Sequence, residues 1–139
     1  MTEEQEIALQ RIKDPAYIKC EGTKEEVALL QFLLEKVANS ESGSKTLANL
    51  KRQEDLPKDH RVVIKIQDTQ SIGLAAAAAG VHEDDGTIIL FKGRHRRKQE
   101  EELKDWASTL AHELYHERQA QEGLLGRFAN LTPDRKSVV

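Results

Sequence analysis

The sequence predicts an α+β fold in which a small sheet packs on a long C-terminal helix, with N-terminal helices behind. Apolar residues recur at helical spacing over residues 24–39 and again over residues 99–121. Apolar and polar residues alternate over residues 61–67, and a short apolar run at 87–91 follows a turn signal. From these patterns we expect a sheet of two to four strands against the helix of residues 99–121.

Length and composition limit the class of protein. The 139 residues correspond to one domain, residues 1–139. A net charge of −3 excludes the strongly basic surface of a general nucleic-acid binder, and 38% hydrophobic residues are too many for an acidic disordered chain. The one cysteine, Cys20, excludes an intramolecular disulfide framework and a four-cysteine zinc site. Since no apolar run reaches the 18 residues of a membrane span and the acidic N-terminus lacks a signal-peptide pattern, we expect a soluble protein without a membrane partner.

The N-terminal third is predicted to be helical. Apolar residues among charges suit a short helix at residues 3–12. Thr23 and Glu26 have the spacing of a capping box, and the apolar residues after them predict a helix that ends near Asn39. Residues 40–44 are predicted to form a turn, followed by another short helix before the first strand.

The middle of the chain carries the two predicted strands. The first covers residues 61–67. Five alanines at 75–79 then suit either a helix or a loop of small residues. A turn signal at 83–86 precedes the second strand at 87–91, and a basic loop at 94–98 follows it.

The last long helix begins at three glutamates, residues 100–102, which suit the positive end of the helix dipole. We expect it to end at about residue 121 or 122, with Gly123 as its C-cap, and a further short helix to begin near residues 132–134. Its core stripe is predicted to consist of Leu103, Trp106, Leu110 and Leu114.

This helix carries an H-E-x-x-H motif at His112, Glu113 and His116. Histidines four residues apart lie one turn apart on the same helix face, so both imidazoles can reach one tetrahedral zinc ion. At about 100° per residue, that face points away from the stripe of Leu110. Glu113 is then placed to take a proton from the attacking water and to pass it to the leaving amine. The motif therefore predicts a zinc-dependent endopeptidase with Zn2+ as its cofactor.

Glu122 is one candidate for the third protein ligand. It lies ten residues after His112, the spacing of the third ligand in the H-E-x-x-H-x-x-G-x-x-H class. That class requires a glycine where this chain has Gln119. On an uninterrupted helix Glu122 points about 100° away from the histidine face, and Glu117 points further away still.

Asp134 is the other candidate, and we favour it slightly as the metal ligand. It lies 18 residues after His116, on a segment that can fold back after Gly123 and Gly126. Either acid is equally consistent with solvated surface. Asp105 shares the histidine face two turns earlier, where it either orients a ligand histidine or is polar surface.

Residues 109–116, TLAHELYH, followed by Gly123, resemble the active helix of the small bacterial effector zinc metallopeptidases typified by NleD- and HopH-type proteins. The order of helices and strands across residues 25–126 is similar as well. The resemblance implies a minimal zincin-like domain that cleaves a protein or peptide substrate. It further implies a virulence effector that enters a host cell by type III export and cleaves host signalling proteins. We expect a monomer, and a cytoplasmic protein if it is not an effector.

Two other classes of function stay open. One is a zinc-binding protein without catalysis, although a purely structural site has no use for Glu113. The other is an interaction domain that binds partners through the basic loop at 94–98. The strand at 87–91 either offers its edge to an extended substrate or is internal to the sheet. Three other histidines fall in predicted loops, where surface positions are expected: His60, His82 and His95.

Overall fold

The computed structural model describes residues 1–68, 80–92 and 99–130. Within these ranges the chain is an α+β structure with four α-helices and a mixed sheet of four strands, which confirms the predicted class. The predictions for the alanine run at 75–79, the basic loop at 94–98 and a helix near 132–134 lie outside the described residues. No helix in the described part is both long and apolar enough to cross a membrane.

The elements are arranged so that the sheet has one antiparallel edge strand. The helices are α1 Glu3–Arg11, α2 Lys24–Asn39, α3 Glu41–Ala48 and α4 Gln99–Asn130, and the strands are β1 Lys19–Glu21, β2 Val63–Asp68, β3 Gly80–His82 and β4 Thr87–Lys92. The strand order is β1-β2-β4-β3; β1, β2 and β4 are parallel, and β3 pairs with β4 antiparallel. The strand predicted at 87–91 is therefore internal, and β3 lies at the edge of the described sheet.

The junction of α2 and α3 is tighter than predicted. The capping box of Thr23 and Glu26 begins α2 as expected. The turn predicted at 40–44 is wrong, because Ser40 alone ends α2 and caps α3 with its hydroxyl, which accepts from the Gly43 backbone N–H at 3.0 Å. A Cβ at Gly43 would collide with the Val37 carbonyl, so glycine permits the immediate restart.

The core lies between the sheet and the helices, and α4 contributes a stripe to it. Leu110 and Leu114 are fully buried, Trp106 is nearly so, and Leu103 packs against the core at its margin. Burial of each large apolar side chain contributes about 1.5–3 kcal/mol. Beyond Leu114 the buried face of α4 becomes polar, with Glu117 and then Gln121 in core positions.

α4 is longer than predicted. It continues through Gly123 to Asn130, so the predicted C-cap at Gly123 is wrong. Glycine costs a helix interior only about 1 kcal/mol relative to alanine, which a helix of this length tolerates. The chain reversal at residues 123 and 126, on which the preference for Asp134 depended, does not occur. Asp134 itself lies outside the described residues.

Candidate metal centre

The structure brings His112 and His116 together on the exposed face of α4. Their Nε2 atoms lie 2.9 Å apart, and the two rings are nearly perpendicular. Both nitrogens cannot present lone pairs to each other at this distance, so a proton or another cation has to lie between them. Without a metal, one Nε2 therefore donates its hydrogen to the other, and the two atoms converge on the same point beside the helix.

Gln119 orients one of these rings. The Nδ1–H of His116 donates to the Oε1 of Gln119 at 3.3 Å, one turn further along α4. Because an amide oxygen only accepts, Nδ1 carries the proton in the neutral ring and Nε2 keeps its lone pair for a metal. In the sequence, Gln119 stands where the H-E-x-x-H-x-x-G-x-x-H class has a glycine. Its spacing of three residues from His116 is the signal that could have identified it.

Glu113 lies at the boundary between the exposed histidines and the core. Helix geometry places it about 60° from His116 on the side away from His112. It is 8% exposed, so its carboxylate is largely shielded from solvent. It lies close enough to His82 of β3 for its charge to raise the pKa of that histidine.

The edge strand β3 lies along α4 beside this boundary. At one end, a Cβ on Gly80 would lie only 2.8 Å from the side chain of Thr109, so glycine allows the close approach. At the other end, His82 bonds to Glu117. Glu113 is in the helical turns between these two contacts. A groove of about 460 Å³ follows on the same side, bordered by Asp84 and other residues: Gln119, Ala120, Gly123 and Leu124.

The described residues do not complete a metal-ligand set. In the ranges 1–68, 80–92 and 99–130, no three His, Cys, Asp or Glu side chains are arranged to hold a metal ion. Glu122 is exposed, and its carboxylate accepts from Arg118 Nε at 3.1 Å. Asp105 is half-buried. Among the described residues, His112 and His116 are therefore two candidate ligands without a third beside them.

A buried carboxylate anchors α4 directly behind the histidine pair. Glu117 is 0% exposed. Its Oε2 accepts from His60 Nε2 at 2.7 Å and from Gln121 Nε2 at 2.8 Å, and its Oε1 accepts from His82 Nε2 at 2.7 Å. A carboxylate in the core requires such donors, because burial without them is costly.

The surface positions expected for two histidines are therefore wrong. His60 is 3% exposed, and His82 is half-buried at the end of β3. Both are drawn inward by Glu117. His95 lies outside the described residues. One feature of the sequence could have indicated this network. Glu117 follows Leu114 by three residues and so falls on the core face of the helix, where an acid needs buried partners.

The β3–β4 turn brings the two histidines to the same carboxylate. Gly86 has a φ of 95°, and a Cβ there would collide with the Arg61 carbonyl, so this close contact requires glycine. The Arg61 backbone N–H donates to the Asp85 carbonyl at 2.8 Å. The turn is thereby docked on the residue that follows His60, and His60 and His82 reach Glu117 from separate segments.

The network favours the charged forms of Glu117 and His82. Burial is the largest influence on Glu117 and raises its pKa, but the hydrogen bonds from His82, His60 and Gln121 together outweigh it, so the pKa lies below its ordinary value. For His82, the hydrogen bond to Glu117 is the largest influence and raises the pKa above 6.5. Burial opposes this shift, while the charges of Glu117, Glu113 and Asp84 support it.

Comparison with known proteins adds no relative. No protein-family model, curated protein or solved structure matches the chain. The resemblance of residues 109–116 to bacterial effector peptidases therefore stays a prediction. The function has to be inferred from the geometry around His112, Glu113 and His116.

Proposed function

We propose that the protein is a zinc-dependent endopeptidase with a zincin-like active helix, in which His112 and His116 bind the metal and Glu113 is the general base. The convergence of the two Nε2 atoms to 2.9 Å carries this proposal. Two histidine nitrogens on one tetrahedral zinc, each at about 2.1 Å, lie about 3.4 Å apart. The two imidazoles need to separate by only about 0.5 Å to fit the ion.

The residues around the pair have distinct chemical roles in this proposal. A bound zinc ion supplies a Lewis acid that activates water and polarises the scissile carbonyl. The shielded Glu113 takes the proton of the attacking water and delivers it to the leaving amine. Gln119 holds the His116 ring in the tautomer that leaves Nε2 free to bind.

Asp134 is our proposed third ligand, and Glu122 is the alternative. A ligand role for Glu122 would break its ion pair with Arg118, but an exposed pair of this kind contributes little to stability. The long helix removes the chain reversal as a reason to prefer Asp134, but it also keeps Glu122 about 100° away from the histidine face, which is the remaining reason to prefer Asp134. Exchanging each acid for its amide and measuring zinc affinity distinguishes the two.

The position of β3 supports a polypeptide substrate. An edge strand can pair with an extended peptide through backbone hydrogen bonds. Because β3 lies along α4 between Thr109 and Glu117, a peptide added to this edge would lie near His112 and His116. The groove beyond Gln119 offers room for a substrate side chain. Delivery into a host cell and cleavage of host signalling proteins belong to the same proposal, and they rest on the resemblance alone.

The test is cleavage of a mixture of unstructured peptides by the zinc-loaded protein, with products identified by mass spectrometry. We expect cleavage by the wild type and by His95→Ala, a control that removes a histidine outside the motif. Glu113→Gln should keep its zinc but cleave at least about 100-fold more slowly, because it cannot accept a proton. Equal cleavage by Glu113→Gln and the wild type would contradict the assigned role.

A further inference from the structure

We propose that Glu117 is a positioning residue of the metal centre, which fixes through His60 and His82 the direction in which α4 presents His112 and His116. This inference rests on the proposed function, because it assigns Glu117 a role in a zinc site. It goes beyond that function, because Glu117 lies outside the motif and does not touch the metal.

The apolar contacts that bury the first half of α4 have little directionality. Trp106, Leu110 and Leu114 are buried against the core. Apolar packing determines which side of a helix is buried, but it is not directional. These contacts alone leave small rotations of the histidine-bearing turns inexpensive.

The second half of α4 is held by directional bonds. Both oxygens of Glu117 are engaged, at 2.7 Å with His60 and at 2.7 Å with His82. These bonds involve an ionised acceptor, which makes them short, strong and sensitive to angle. One partner precedes β2 and the other ends β3, so a rotation of α4 would strain both bonds.

The hydrogen-bond network of Glu117 extends one turn further along α4, to Gln121. Gln121 donates to Glu117 at 2.8 Å, and its Oε1 accepts from the Lys51 backbone N–H at 2.7 Å. The chain after α3 is thereby tied to the same face of α4. Three segments outside the helix thus converge on two neighbouring buried side chains.

Glu117 and its partners hold α4 beside the two histidines, where a small rotation of the helix would move the candidate ligands most directly. Glu117 directly follows His116 in the chain. A side-chain tip lies about 6 Å from a helix axis, so a rotation of about 5° moves it by about 0.5 Å, the tolerance of a functional site. Since the described part of α4 supplies only two ligands, the direction of the pair determines whether a third can reach the ion.

The test separates positioning from stability. Glu117→Gln preserves the shape of the side chain but weakens the charged bonds. A second variant combines Glu117→Leu, His60→Leu and His82→Leu, because replacing a whole buried ionic cluster by apolar residues often preserves stability. Glu35→Gln, an exposed acid on α2, is the matched control. Each protein is measured for zinc affinity by chelator competition, for the visible spectrum of its Co2+ form, and for urea unfolding without metal.

We expect both network variants to bind zinc about 10- to 100-fold more weakly and to change the Co2+ spectrum, with the triple variant unfolding at or above the wild-type urea midpoint. Wild-type affinity in either variant would overturn the inference, as would a loss of affinity that only follows a loss of stability. If the wild type itself binds no zinc, the proposed function fails and this inference fails with it. If the wild type binds zinc and the variants bind equally well, only the role of Glu117 fails.

Discussion

The Nε2 atoms of His112 and His116 lie 2.9 Å apart on the exposed face of α4, while the next side chain, Glu117, is bound in the core by His60 and His82. The shared face of the two histidines follows from helical spacing alone, because residues four apart are neighbours on a helix. The partners of Glu117 could not be predicted in the same way. His60 lies 57 positions away along the chain, and only the folded backbone brings it within 2.7 Å. Local geometry is therefore predictable, whereas long-range pairing is not.

The hydrogen bond between His116 and Gln119 leads to a testable prediction. Gln119→Leu should weaken zinc binding about tenfold, because the Nδ1–H of His116 loses its acceptor and the ring is less well oriented. Gln119→Glu keeps an acceptor at the same position and should bind zinc at least as well as the wild type. Zinc titration calorimetry on the two variants tests this. Equal weakening in both would show that Gln119 does not act through His116.

The ionisation of His82 gives a second prediction. Its folded-state pKa is raised above 6.5 by the bond to Glu117, with Glu113 and Asp84 adding to the field. The stability that this group contributes is complete below its unfolded pKa, about 6.5, and is lost as pH rises through the folded pKa. Glu117 affects stability at acidic pH. Because its folded-state pKa is lowered, the stability that it contributes is complete above 4.5 and is lost as the pH falls below that value.

Urea unfolding of the metal-free protein between pH 4 and 9 measures this dependence. We expect the midpoint to fall as pH rises above about 6.5, and this fall to be smaller in His82→Gln. His95→Ala serves as the control for removal of a histidine. A midpoint that rises over the same range, or an unchanged slope in His82→Gln, would be inconsistent with the ion pair.

At the scale of elements, periodicity predicted the long helices better than it predicted their ends. α2 ends at Asn39 as expected, because a capping box and a sustained apolar repeat define it. The predicted end of α4 was wrong, since a glycine is a common helix terminator but not an obligatory one. The strands β1 and β3 have only three residues each and exist because β2 and β4 pair with them. Such short strands carry no periodic signal.

Gly123 gives the prediction for α4. Gly123→Ala should stabilise the protein by up to about 1 kcal/mol, because position 123 is inside a helix and, apart from the adjoining helix backbone, no described atom lies within 4 Å of the place that the new methyl group would take. Gly86→Ala should destabilise it, because the positive φ of 95° and the Arg61 carbonyl exclude a Cβ. The urea midpoints of the two variants, compared with that of the wild type, test both expectations. Destabilisation by Gly123→Ala would indicate that α4 ends near residue 122 after all.

At the scale of the whole molecule, the α+β class was predictable and the arrangement was not. The mixture of helical and alternating patterns establishes the class. The strand order β1-β2-β4-β3 and the placement of β3 against α4 depend on packing between distant segments. The candidate site shows the same division. The motif lies within one helix, while its anchor joins α4 to β3 and to the segment before β2.

The zinc content of the purified protein shows whether His112 and His116 bind a metal ion. Wild type, His116→Ala and the control His95→Ala are stripped with a chelator, reloaded with zinc, freed of excess metal and analysed by mass spectrometry. We expect about one zinc per chain in the wild type and the control, and a near-complete loss in His116→Ala, because one imidazole cannot hold the ion alone. No zinc in the wild type, or equal zinc in His116→Ala, would contradict the assignment of His112 and His116 as a metal centre.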